Sequence, residues 1–121
     1  MSAEADNALA RQLRALRREY LADSTQRVNE LRGQLTRLAA GERAALRDLM
    51  QAFHRLAGSG GSYGFPSVST HSREGEHIAR RLADEQATVT EIEIASLRAC
   101  VDAVAHAFAE ALSALDAEPD G

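Results

Sequence analysis

Lysine is absent from this chain; its fourteen Lys-or-Arg positions are all arginine. A Walker-type phosphate loop needs a lysine, and so does a protein-kinase ATP site. The chain builds neither, so any phosphate it handles comes without a nucleotide site of its own. Tryptophan is also missing, and aromatic residues make up only 4% of the sequence. Ala and Leu dominate instead, which favours helices over strands. Cys100 is the only cysteine, so there is no intrachain disulfide and a reducing compartment fits. No apolar run approaches the length of a membrane span, and no signal-peptide pattern precedes the first helix. A cytoplasmic location is expected. The formal net charge of −4 lacks the basic excess of a nucleic-acid binder.

What remains is 121 residues, 45% hydrophobic and 26% charged. That suits one soluble domain with one core, spanning residues 1–121. Leu9, Leu13, Leu16, Tyr20, Ser24, Val28, Leu31, Leu35 and Leu38 step by three or four and predict one long helix. Ser24 and Gly33 are its weak points, which allows a break near residues 22–25. Gly41 is its C-terminal stop. A second helix is expected from about Glu42, with Ala45, Leu46, Leu49, Met50, Phe53, Leu56 and Ala57 as its apolar stripe. Gly58, Gly60, Gly61 and Gly64 follow, and each glycine inside a helix costs about 1 kcal/mol relative to Ala. Propensity alone ends this helix at Ala57, while the tertiary fold could carry it to about Tyr63. Pro66 takes the favoured first position of a third helix. Its inner face is unusually small: Val68, Ser72, Gly75, Ala79 and Leu82. Asp84, Glu85 and Gln86 read as a turn. Thr90 and Glu93 have capping-box spacing and start a fourth helix, with Ile94, Leu97, Val101, Val104, Phe108, Ala111 or Leu112, and Leu115 inward. From about residue 116 the tail is polar and frayed. Short turns between amphipathic helices predict an all-α, antiparallel up-down four-helix bundle with a long first helix. No strand pattern, hairpin signal or internal repeat is present.

The chemistry concentrates around His54. At 100° per residue from Leu46, His54 lies about 80° round, on the edge of the apolar stripe. Gly58, Gly61 and Arg47 fall on the same edge. His54 thus sits on a ridge cleared of side chains on its C-terminal side. Glycine at both positions carries a stability cost that packing does not explain, and it grants a second protein access to the ring. Neutral imidazole is a good nucleophile near pH 7. Phosphoryl transfer needs in-line approach and charge neutralisation more than acid–base machinery, and a rigid helix holds the acceptor well.

From His54 to Glu76 the chain resembles a histidine-containing phosphotransfer (HPt) domain. The residues that carry the likeness are His54, Leu56, Gly58, Ser59, Gly64, Val68, Ser72 and Glu76, at the family's spacing, and the flanking helical pattern extends it over most of the chain. The resemblance implies a four-helix bundle with His54 as the phosphoacceptor on its second long helix, and small residues that stay helical against their propensity. It implies a phosphocarrier without kinase activity, trading phosphoryl groups with the aspartate of a response-regulator receiver domain or with a hybrid histidine kinase. The receiver is expected to dock over the ridge against Leu56, Tyr63 and Phe65, with any Mg²⁺ supplied by the receiver. Neither a homo-oligomer nor a cofactor is required. Two positions depart from the pattern. Ala57 replaces the usual lysine, for which Arg47, Arg55 or Arg73 can substitute, Arg47 first on the helical wheel. Gly75 replaces an apolar residue, which predicts looser packing there. The alternative is an HPt-like adaptor that binds a receiver or kinase without accepting phosphate, and Ala57 is its best support.

Other constellations carry less. Glu74 and His77 form an E-x-x-H, but a di-iron bundle needs a second copy and two further carboxylates, so no metal site is expected. His71 is expected to be partly buried and structural, His106 solvated, and Cys100 in the core. The glycines from Gly58 to Gly64 miss the dinucleotide fingerprint, because Tyr63 stands where its last glycine belongs and no strand precedes it.

Overall fold

In the computed structural model, residues 2–86 and 88–118 are described. They form five helices: α1 (Ala3–Ala22), α2 (Ser24–Ala39), α3 (Ala45–Ser62), α4 (Pro66–Glu85) and α5 (Glu91–Asp116). The expected long first helix is divided at Asp23, inside the window of its weak points. Helices α2 to α5 make the antiparallel four-helix bundle, each packed against its neighbours in ring order. No strand occurs among the described residues.

The local chemistry explains most boundaries. Ser2 caps α1 by accepting from the Ala5 amide at 3.2 Å. Gly41 ends α2 with φ at +98°. The Gly41 amide donates to Leu38 and the Glu42 amide to Arg37, a Schellman closure. Helix α3 begins at Ala45 rather than Glu42, because Glu42 is held by Arg37 at 2.8 Å and its neighbours form a preceding turn. Pro66 occupies the first turn of α4. Helix α4 runs through Glu85, past the expected start of the turn, and Gln86 closes it in the left-handed region. The Thr90–Glu93 capping box opens α5.

The core is built from the expected stripes. Leu31, Leu35 and Leu38 of α2 meet Leu46, Leu49 and Phe53 of α3, Val68, Ala79 and Leu82 of α4, and Leu97, Val101, Val104 and Phe108 of α5. Cys100 is buried with them.

Three expectations are corrected. First, the end that propensity alone sets at Ala57 is overridden, as the resemblance implies, and α3 continues to Ser62. Gly64, with φ at +85°, provides the actual stop, through Gly64 to Gly61 and Phe65 to Gly60 hydrogen bonds. Gly60 is tolerated because α4 approaches closely there. A Cβ on Gly60 would lie 2.9 Å from Val68 Cγ1 and 3.0 Å from the Ser69 amide nitrogen, and Ser69 Oγ donates to the Ala57 carbonyl at 2.7 Å. Second, packing at Gly75 is tight rather than loose: a Cβ there would meet the Phe53 ring at 2.5 Å. Third, Leu9, Leu13 and Leu16 do not reach the core. Residues 2–13 are exposed, and these three leucines keep about half their surface in solvent.

Helix α1 is anchored by its C-terminal part. The Tyr20 ring stacks on Tyr63 with centroids 4.5 Å apart and on Phe65 at 5.8 Å, with Phe108 tilted against it. Arg14 reaches Glu118 at 3.1 Å, so the start of the polar tail is held against α1. The remainder of the tail, residues 119–121, lies outside the described residues.

Candidate functional site

His54 stands in the middle of α3, on its outer face. Phe53 beside it points inward and is fully buried, while the His54 side chain is 74% exposed. The rotation of α3 is fixed by this stripe: Leu49, Phe53, Leu56 and Gly60 face the bundle, which turns His54 and Gly58 outward.

Helix α4 supplies the partner. Glu76 projects from α4 toward α3, and its Oε2 lies 2.8 Å from His54 Nδ1. The Glu76 side chain is only 11% exposed. An ionised carboxylate only accepts hydrogen bonds, so Nδ1–H donates and Nε2 of the neutral ring keeps its lone pair. With an ionised Glu76 the contact favours this tautomer of the neutral ring. Arg80, one turn further along α4, donates from Nη2 to the same Glu76 oxygen at 2.8 Å. His54, Glu76 and Arg80 therefore form one chain of polar contacts across two helices. With Met50, Gln51 and Arg55 they line a shallow open cleft of about 340 Å³.

The other candidate residues lie as follows. Gly58 is exposed, and a Cβ there would meet nothing within 4 Å. Packing makes no demand for glycine at this position, one turn beyond His54. Gly61 is also exposed, with Ser69 Oγ at ordinary contact distance, 3.6 Å, from where its Cβ would be. Arg55 borders the cleft but turns toward α2, where it pairs with Glu30 at 3.0 Å. Arg47 is exposed two turns earlier on α3 and contributes nothing to the cleft lining. Arg73 is exposed on α4 and is likewise outside the lining. Tyr63 and Phe65 sit together at the C-terminal end of α3 as part of the aromatic stack on Tyr20, with Tyr63 38% exposed. Leu56, expected on the docking ridge, is instead a core residue at 3% exposure. Two residues beyond His54 is about 200° of helical rotation, which carries Leu56 to the opposite side.

Of the remaining histidines, His77 borders a separate cleft with Arg80, and the other two lie apart from this arrangement. His71 is half-buried and faces Glu74 at 3.7 Å, and His106 is exposed beside Glu110 at 2.9 Å. Among the described residues no group of three or more His, Cys, Asp and Glu is placed to hold a metal ion. No described helix is long and apolar enough to cross a membrane.

Arg80 stands outside the candidate residues that the sequence singles out. Its signal was available: an acid four residues before a base on one helix face is the spacing of an ion pair. Glu76 was visible only through the family spacing, because its meeting with His54 depends on how two helices register.

The arrangement combines an exposed imidazole of defined tautomer, open space beyond it, and a carboxylate behind it. The family model of the Hpt domain matches residues 15–118. No curated protein and no solved structure matches the chain.

Proposed function

This chain belongs to the Hpt domain family, and we propose that it carries a phosphoryl group on Nε2 of His54, exchanging it with the aspartate of a response-regulator receiver domain. Hpt domains act in two-component phosphorelays, as phosphocarriers rather than kinases. The choice of His54 rests on one observation above the others: its Nδ1 is engaged by Glu76, which leaves Nε2 as the free nitrogen on an exposed ridge.

The chemistry balances without a cofactor on this chain. The Nε2 lone pair attacks the phosphorus of the aspartyl phosphate, in line with the acyl oxygen. The Nε2–P bond forms as the P–O bond to that oxygen breaks, and its electron pair leaves on the aspartate carboxylate. The phosphorylated ring is cationic while it keeps its Nδ1 hydrogen, and the Glu76 carboxylate faces that hydrogen. Transfer onward is the reverse: a receiver carboxylate attacks phosphorus and the ring leaves neutral. Most of the catalysis is positioning and charge stabilisation. Gly58 and Gly61 keep the approach to His54 open, Tyr63 and Phe65 give the docking partner an apolar edge, and Mg²⁺ comes with the receiver.

The loss of lysine at Ala57 favours the second reading, an adaptor that binds a receiver without accepting phosphate. Transfer from a pre-phosphorylated receiver, with wild type beside His54→Gln, separates the two. Acid-labile label on wild type alone supports the carrier. Intact binding with no label on either protein supports the adaptor. Label that persists in His54→Gln removes His54 and moves attention to His71.

A further inference from the structure

A phosphoryl group on Nε2 of His54 arrives on a ring whose Nδ1 is already held by a carboxylate. Glu76 Oε2 is 2.8 Å from the ring and mostly shielded from water. Like charges so placed repel, and poor solvation strengthens the repulsion. A cation at the same point is required to make the site accept an anion, and the chain has no lysine to give.

Geometry selects among the arginines. Arg47 and Arg73 contribute nothing to the cleft beside His54. Arg55 borders the cleft but is turned to Glu30 on α2. Arg80 shares one carboxylate oxygen with His54: Nη2 and Nδ1 each lie 2.8 Å from Glu76 Oε2. The guanidinium nitrogen and the imidazole nitrogen are therefore no further apart than those two contacts laid end to end. Arg80 is 54% exposed and pairs with Glu76. Guanidinium carries five N–H donors in a flat fork that suits phosphate oxygens. The bond to Glu76 uses one of them.

We propose that Arg80 is the cation that steadies the phosphoryl group on His54, held beside the ring through the Glu76 oxygen the two residues share. This rests on the reading of His54 as phosphoacceptor and adds to it. Glu76 then has two tasks: it fixes the His54 tautomer and it aims Arg80. Arg80 offsets the Glu76 charge on the Nδ1 side of the ring, and its remaining N–H groups turn across the shared cleft toward the oxygens on Nε2.

The test uses potassium phosphoramidate as a small phosphoryl donor, followed by transfer from a phosphorylated receiver domain. The rate of acid-labile labelling is measured for wild type, Arg80→Gln and Arg80→Lys, and each protein is checked for native helix content. The imidazole ¹⁵N spectrum of each reports the His54 tautomer. Arg80→Gln is expected to slow labelling by about tenfold or more, to keep the Nδ1–H tautomer, and to be largely restored by lysine at the same position. Wild-type rates in Arg80→Gln overturn the role of Arg80 and leave the reading of His54 standing. Equal loss in Arg80→Gln and Arg80→Lys, or a tautomer lost with Arg80, also overturns it, because Arg80 then acts only by holding Glu76. A rate loss in Arg73→Gln with none in Arg80→Gln assigns the cation elsewhere. A wild-type protein that takes no label from either donor removes both the reading of His54 and the role of Arg80.

Discussion

The Phe53 ring occupies the space that a side chain at Gly75 would fill, with three of its carbons within 2.6 Å of where the Cβ would stand. Phe53 precedes His54, and Gly75 precedes Glu76. The apolar contact on the inside of the α3–α4 pair thus sets the register of the polar contact on its outside. The Phe53 ring is fully buried, so any shift of it disturbs the core. Gly75→Ala gains about 1 kcal/mol in helix propensity but overpacks the core, at a cost of about 1–3 kcal/mol. Net destabilisation is expected in urea titrations, together with slower labelling of His54 as the two helices are pushed apart. A variant as stable as wild type with an unchanged rate refutes this link.

Gly58 is the opposite case. Nothing lies within 4 Å of a Cβ built there, so Gly58→Ala is expected to raise stability by about 0.5–1 kcal/mol. A larger side chain separates access from folding. Gly58→Leu should keep the bundle, as read by helix content and thermal unfolding, and block transfer from a receiver domain. Labelling by phosphoramidate, a far smaller donor, should fall much less. Unimpaired transfer from the receiver to Gly58→Leu removes the steric argument for this glycine.

These two glycines show what the sequence could reveal and where it stopped. The stripes of α2, α3, α4 and α5, the stop at Gly41, Pro66 at the head of α4 and the capping box at Thr90 were legible because each depends on neighbours in the chain. The extent of α3 was not, because Gly60 is permitted in a helix by Val68 and Ser69 of the next one. Leu9, Leu13 and Leu16 continue the periodicity of α2, yet a stripe does not say whether anything lies opposite it. At the site, His54 and the open Gly58 came from spacing along one helix. Glu76 and Arg80 required the register of α3 against α4, and Leu56 was misplaced by the same kind of reasoning that a count of helical angles corrects.

Stability at alkaline pH is set in part by two buried acids. Burial pushes the Tyr20 hydroxyl above its ordinary value of 10.0, although the Ser59 hydrogen bond and Arg27 pull it down. Burial likewise pushes the Cys100 thiol above 9.0, with the Glu74 charge adding to the shift. Both groups are neutral when protonated, and the folded chain keeps these protons at a pH where the unfolded chain has lost them. Their contribution is whole below the unfolded values and is lost as pH rises through the folded ones. Unfolding free energy from urea titrations should therefore decline from about pH 9 upward. The double variant Tyr20→Phe, Cys100→Ala should show a shallower decline, even though loss of the 2.7 Å contact to Ser59 lowers its stability at neutral pH by about 1 kcal/mol. Parallel curves for the two proteins would show that neither group is responsible.

Glu76→Gln tests the tautomer directly. A carboxylate can only accept, so it leaves His54 one way to bond: hydrogen on Nδ1, lone pair on Nε2. An amide offers either an oxygen or an NH₂ group to the same nitrogen. With the NH₂ group toward the ring, Nδ1 becomes the acceptor, Nε2 carries the hydrogen, and the nucleophile is lost until the amide turns. The ring also loses the anion that faces it when phosphorylation makes it cationic, and Arg80 loses its charged anchor. Labelling of His54 is expected to slow by about tenfold or more, while the fold survives because glutamine has nearly the shape of glutamate. Imidazole ¹⁵N shifts should change from a predominant Nδ1–H form to a mixture. A slowed rate with an unchanged tautomer assigns the effect of Glu76 to charge alone, and an unchanged rate with a mixed tautomer shows that the tautomer does not limit transfer.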